Sequence, residues 1–178
     1  MNHTSEVFVP LNIAVLTVSD TRTLETDSSG QYLADQLKQG GHVLVDRQIM
    51  PDNLYQVRAQ VAQWIADNKV QVVLITGGTG FTDRDSTPEA VICLLDREIQ
   101  GFGELFRHVS YADIGTSTIQ SRAFAGLANR TLVCCMPGSS NACRTAWEGV
   151  LQPQLDARQG PCNLVAHLTQ APACASRG

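Results

Sequence analysis

Three runs constrain the fold of this chain most strongly: NIAVLTVSD (12–20), VQVVLIT (70–76) and TLVCCMPG (131–138). Each is apolar at successive rather than alternate positions, and each leads into polar or glycine-rich residues. A strand that is apolar on both faces has to be covered on both faces. That is the condition of a parallel sheet lying between helical layers. The segments in between supply the helices. GQYLADQLKQGG (30–41) sets Tyr32, Leu33 and Leu37 on one face and closes on Gly40–Gly41, a C-terminal stop. HVLVDRQIM (42–50) reads as a second strand. In PDNLYQVRAQVAQWIADNK (51–69), Leu54, Val57, Val61, Trp64 and Ile65 form one stripe, with Asp52 or Asn53 in position to cap it.

Later segments follow the same alternation. STPEAVICLLDREI (86–99) predicts a helix with Thr87 at its cap, Pro88 at the first helical position and Glu89 in the first turn. Residues 101–128 predict two short helices, near Glu104–Ser110 and Ile119–Leu127. SSNACRTAWEGVLQPQLDAR (139–158) predicts a long last helix, bent or interrupted at Pro153. The expected fold is a single three-layer α/β domain, a mostly parallel sheet with helices on both faces. Residues 1–11 form an N-terminal arm, 12–167 the domain, and 168–178 a tail without periodicity.

At 178 residues the chain is long enough for one proper core. Its net charge of −4 argues against a nucleic-acid partner held by bulk phosphate attraction. No apolar run reaches membrane-spanning length, and MNHTSEVFVP lacks a signal peptide's charged start, so a cytoplasmic location and no membrane partner are expected. The six cysteines, Cys93, Cys134, Cys135, Cys143, Cys162 and Cys174, include no C-x-x-C pair and read as reduced and structural. His3, His42, His108 and His167 form no ligand-spaced pair. No G-x-S-x-G elbow occurs, which disfavours covalent hydrolase chemistry.

The chemistry concentrates in TGGTGFTDRDSTPE (76–89). Gly77, Gly78 and Gly80 let the backbone approach an anion and expose amides to it. The loop is neither a P-loop, which needs Lys followed by Ser or Thr, nor a dinucleotide fingerprint, whose third glycine position holds Asp83. Asp83 and Asp85 follow at once. Carboxylates beside phosphates make sense with an intervening cation, and Mg²⁺ takes one or two carboxylates plus phosphate oxygens. An Asx-turn or a helix cap is the plain alternative for Asp85, and a cap for Asp52. Ser139 and Ser140 open a helix after MPG; Ser121 and Arg122 offer a hydroxyl and a cation. In a parallel sheet, the loops VSDTR, TGGTG and MPGSS share the edge where such sheets bind ligands.

LTVSDTR, ITGGTGFTDRDSTPEA, DREIQGFGELFR, GTSTIQSRAFAG and MPGSSNACRTAWEGVLQPQLDAR together resemble the MoaB/MogA family of molybdenum cofactor biosynthesis. The similarity runs from about Asn12 to about His167, with the motifs in order. PQLDARQGPCNLVAHL (153–168) is similar to the MoaB branch. The resemblance implies a MogA-like molybdopterin-binding fold, assembled as a homotrimer that can pair into a hexamer. It also implies Mg²⁺-dependent adenylylation of molybdopterin by ATP, or a nucleotide such as GTP, with release of pyrophosphate. The product would pass to a molybdate-insertion protein. The family's two essential acids fall on Asp52 and Asp85: Asp85 would hold the metal near the nucleotide phosphates, and Asp52 would help orient the metal or the pterin phosphate. Ser19 and Asp20, Thr76, Gly77, Gly78, Thr79 and Gly80, and Pro137, Gly138 and Ser139 would form the nucleotide side. Ser110, Ser121 and Arg122 would form the molybdopterin side. A molybdopterin- or nucleotide-binding carrier without transferase activity is the alternative.

Overall fold

A computed structural model describes residues 5–169. Predicted features at His3, Cys174 and residues 170–178 of the tail lie outside them. The sheet has six strands in the order β2-β1-β3-β6-β5-β4. The central strands β1 (Asn12–Val18), β3 (Val72–Thr76) and β6 (Thr131–Met136) are parallel, and so is β2 (Val43–Met50) at the edge. β5 (Phe124–Ala128) runs antiparallel to β6, and the two-residue β4 (Arg97–Glu98) antiparallel to β5.

The apolar runs behave as their composition demands. On β1, Ile13 and Val15 enter one core while Ala14, Leu16 and Val18 enter the other. Val72 and Leu74 are split in the same way from Val73 and Ile75, and Leu132, Cys134 and Met136 from Val133 and Cys135. The first core is closed by helices α1 (Ser28–Gln39), α4 (Gln100–Ile114) and α5 (Ser140–Ala146), through Leu33, Leu37, Phe102, Phe106 and Cys143. The second is closed by α2 (Leu54–Ala66) and the five-residue α3 (Thr87–Val91), through Val57, Val61, Trp64 and Val91. Each fully buried aliphatic side chain stabilises the fold by about 1.5–3 kcal/mol relative to exposure, so the central strands anchor both layers at once. β2 buries one face less completely: the register slips between Ile13 and Ala14, and the extra residue, Val45, is left at the exposed edge.

Of the two residues expected to cap α2, Asn53 does so, its side chain accepting from the Tyr55 and Gln56 N–H groups at 3.1 Å. Later segments need correction. The helix after the glycine loop has Ser86, not Thr87, in its N-cap position, without a side-chain capping bond, and it stops early. A 3-10 turn (Ile92–Leu94) leads into β4, because the Asp96 N–H reaches the Leu127 carbonyl and begins strand pairing. Residues 119–127 are not a helix. A 3-10 turn (Gly115–Gln120) hands over to β5, whose small residues fit a close approach of α4: a Cβ on Gly103 would stand 2.6 Å from the Ala123 carbonyl oxygen. Gly101 and Gly103 weaken the helical signal of residues 100–104, and α4 is accordingly longer than the sequence suggests. The last helix is not interrupted at Pro153: α5 widens into a π-helical turn (Trp147–Leu151) and continues as α6 (Gln152–Gln154), which contains Pro153 and ends there. A final short helix, α7 (Val165–Leu168), follows. No helix among the described residues is long and apolar enough to cross a membrane.

Candidate functional site

The chain goes one way from β1 to β2 and the other way to β3. The crevice beyond the carboxyl ends of β1 and β3 is therefore the place where an open α/β sheet can seat a ligand. A cleft of about 490 Å³ opens there, within the roughly 300–1,000 Å³ typical of small-molecule sites. The loops after β1, β3 and β6 meet on it as expected: Ser19, Thr76 through Gly80, and Pro137 through Ser139 all line it.

Hydroxyls hold the loops together. Thr76 Oγ1 donates to the Pro137 carbonyl at 3.0 Å, Ser29 Oγ to the Gly138 carbonyl at 2.8 Å, and Thr87 Oγ1 to the Gly77 carbonyl at 2.9 Å. Gly77 and Gly78 adopt φ of 101° and 64°, where a side chain is strained. Space forbids one as well: a Cβ on Gly77 would lie 2.2 Å from the Val18 carbonyl oxygen. The outcome is a tight backbone hook. The Gly78 and Thr79 N–H groups donate to no group among the described residues.

Asp85 and Asp52 approach this hook from different elements. Asp85 Oδ2 accepts from the Thr82 N–H at 2.9 Å and from its hydroxyl at 2.6 Å. These donors lie three residues before Asp85, so this is not the Asx-turn offered as the plain alternative; the Thr87 N–H that such a turn would use donates to the Gly78 carbonyl. The Thr82 hydroxyl, aided by backbone N–H groups and by Arg122, holds the Asp85 carboxyl below its usual range against a partial desolvation penalty. Asp52 lies beyond β2, where its Oδ1 accepts from the Ser86 N–H at 3.1 Å and hydroxyl at 2.5 Å. A Cβ on Gly78 would stand 2.6 Å from Asp52 Oδ2, and one on Gly80 2.7 Å from Asp85 Oδ2. Both acids thus sit on the same short stretch of backbone. Asp85 lines the cleft; Asp52 stands behind Gly78.

Each carboxylate commits one oxygen to the protein. Asp52 Oδ2 and Asp85 Oδ1 accept no hydrogen bond of ordinary length and angle among the described residues, although the Gly80 N–H also helps to hold the Asp85 carboxyl low. No group of three or more His, Cys, Asp or Glu side chains able to hold a metal occurs there. A free carboxylate oxygen on the cleft wall (Asp85) and a second one behind Gly78 (Asp52) are ligands of the kind Mg²⁺ takes, with phosphate oxygens and water completing its shell.

The other expected site residues divide. Ser110, buried, and Ser121 line the cleft. Arg122 does not: its guanidinium donates to the carbonyls of Thr79 (3.2 Å), Gly80 and Asp85 (3.0 Å), and it pairs with Glu89. It buttresses the glycine loop from outside. Asp20 is also a tie, accepting from the Asp52 N–H at 3.1 Å and pairing with Arg84. Sequence reasoning missed Arg22, Asp27 and Asp113, all on the cleft wall. Asp27 caps α1 through the Gly30 N–H at 2.9 Å, accepts from Thr17 Oγ1 at 2.8 Å and pairs with Arg47 at 2.9 Å. An Asp directly before a helical pattern was the available signal.

A family model described as "Probable molybdopterin binding domain" matches residues 14–157. A molybdenum cofactor biosynthesis protein B of Escherichia coli (strain K12) is 57% identical over 168 residues, covering 94% of this chain and 99% of that protein. A crystal structure of a molybdenum cofactor biosynthesis protein B superposes with a TM-score of 0.80 at 46% identity, over 83% of this chain and 92% of the other. The molybdopterin biosynthesis enzyme MoaB of Thermus thermophilus gives 0.71 at 32% identity, over 79% and 89%. The chain belongs to this family of molybdopterin-binding domains, and within it to the MoaB branch.

Proposed function

We propose that the cleft binds molybdopterin and Mg·ATP and adenylylates the pterin. The terminal phosphate oxygen of the pterin attacks the α-phosphorus of ATP, the bond from the α-phosphorus to the bridging oxygen breaks, and pyrophosphate leaves. The nucleophile is already an anion, so no general base or covalent side chain is needed. What the reaction requires is alignment of two charged groups and relief of their repulsion. The unpartnered Gly78 and Thr79 amides and the Ser139 hydroxyl loop are suited to hold phosphate oxygens. Asp52 Oδ2 and Asp85 Oδ1 would hold Mg²⁺, which when bound supplies positive charge to the triphosphate. Ser110 and Ser121 are assigned to the pterin side.

The observation that carries this reading is the pair of uncommitted carboxylate oxygens on one glycine hook. The test is incubation with molybdopterin, ATP and Mg²⁺, scored for pyrophosphate and adenylylated pterin. Wild type should turn over, and Asp85→Asn should not, at unchanged fold. Turnover by Asp85→Asn at the wild-type rate would refute the metal role.

One observation favours a second reading, a carrier that binds molybdopterin or nucleotide without transfer: Asp52 stands behind Gly78 rather than on the cleft wall. Tight pterin binding without pyrophosphate release would select it. In either case the exposed Tyr111, Ile114 and Ile119 at the end of α4 and in the following turn offer an apolar face for the homotrimer or hexamer that the family suggests. Release to a molybdate-insertion protein follows from the transferase reading.

A further inference from the structure

We infer that Arg22 is the side chain that grips a phosphate of the bound ligand. The assignment rests on the reading of the cleft as a phosphate-ligand site. Among the described residues, Arg22 is the one Lys or Arg on the wall of that cleft, where Asp27, Asp85 and Asp113 also stand. Asp27 is balanced by Arg47, and Asp113 accepts from the Asn141 amide. The remaining local field is acidic, and on this wall an incoming phosphate meets only Arg22 as a positive side chain.

The nearby arginines are spent on the protein itself. Arg47 serves Gln31 and Asp27, Arg84 serves Asp20, Arg107 serves the Ser121 and Ala123 carbonyls, and Arg122 holds the glycine loop. Arg22 commits a single donor: Nη1 to the Thr26 carbonyl at 3.0 Å. Its other guanidinium N–H groups donate to no acceptor among the described residues.

Its loop is nevertheless shaped. Ser19 Oγ accepts from the Thr21 and Arg22 N–H groups at 3.3 and 3.2 Å, folding the chain just after β1 so that the side chain stands at the cleft. One tethered Nη and a free remainder leave a planar donor fork available, the geometry that matches two phosphate oxygens at once. Arg22 lies on the β1 loop, whereas Asp85 lies on the β3 loop, so the two residues address different parts of the ligand.

The test measures binding of Mg·ATP, inorganic pyrophosphate, inorganic phosphate and adenosine to the full chain and to Arg22→Gln and Arg22→Lys. The residue is exposed, so both variants should melt with the wild type. Arg22→Gln should weaken Mg·ATP and pyrophosphate by roughly tenfold to a hundredfold. It should also flatten the salt dependence and leave adenosine unaffected, and lysine should restore part of the loss. An Arg22 effect seen with inorganic phosphate and absent with the polyphosphates moves the contact to the pterin's monoester. Pyrophosphate binding that depends on Arg22 without any binding of ATP upholds the assignment and removes the nucleotide from the proposed function. Wild-type affinity for every anion in Arg22→Gln overturns the assignment and leaves the proposed function standing. Equal loss for adenosine with a lowered melting point also overturns it. Failure of the wild type to bind any of the anions sinks both.

Discussion

The carboxylate of Asp52 takes both the backbone N–H and the hydroxyl of Ser86, a residue 34 positions further along the chain. This one contact fastens the end of β2 to the start of α3 and presents the second carboxylate oxygen to Gly78. Structural and chemical roles are thus divided between two oxygens of one side chain. Asp52→Asn keeps an acceptor for Ser86 and loses the charge: it should retain stability and lose adenylyl transfer. Asp52→Ala leaves two part-buried donors unpaired and should cost about 1–3 kcal/mol as well. Urea unfolding together with pyrophosphate release separates the two effects. Full turnover per folded molecule in Asp52→Ala would reduce the residue to a fastener.

Arg122 acts on the glycine loop from outside. Three carbonyls and Glu89 surround its guanidinium, and Phe81 packs 5.3 Å from it. Arg122→Gln should destabilise the protein by about 2–3 kcal/mol. Hydrogen exchange at residues 79–85 should quicken more than in the sheet. Uniform quickening throughout the chain would mean that the contact is not local to the loop.

Asp27 on the cleft wall pairs with Arg47, which is not part of that wall; their side chains are 1% and 14% exposed. Arg47→Met strands a buried carboxylate and should cost about 3–5 kcal/mol. Adding Asp27→Asn, whose amide oxygen can still accept from the Gly30 N–H while its NH2 group can donate to the Thr17 hydroxyl, should recover part of it. A double variant as unstable as the single one would show that lost packing, not the stranded charge, is responsible.

His42 accepts the Leu11 N–H on Nδ1 at 3.2 Å and meets the Trp147 ring edge-on. Burial pushes its pKa below the ordinary 6.5, against an opposing pull from Asp156. The unfolded chain therefore binds the proton first as pH falls. This contribution is fully present above about pH 6.5 and is lost as the pH drops through the folded pKa. Stability should decline between neutral and mildly acidic pH, and His42→Gln should flatten that slope. An unchanged slope in the variant would place the titration elsewhere.

What could be read from the sequence follows from how local each signal is. The strands β1, β3 and β6 were legible because both faces are buried, which leaves a continuous apolar run. Their loops were legible because hooks such as Gly77–Gly78 need glycine. β4 and β5 were not: two exposed residues carry no pattern, and FAGLA has the composition of a helix until the strand register supplies its partner. Arg22 and the contact between Asp52 and Ser86 depend on loops, and Asp113 on the end of α4, that meet only after the sheet forms. Arg122 was legible as a cation, but its direction was not, since the carbonyls it serves lie some 40 residues earlier.

The most direct measurement is a crystal structure of the chain with Mg²⁺ and a non-hydrolysable ATP analogue. It should show one metal ion bound to phosphate oxygens and to Asp52 Oδ2 and Asp85 Oδ1, with the Gly78 and Thr79 amides on the triphosphate. A triphosphate seated away from the glycine hook, or a metal held without either carboxylate, would contradict the account.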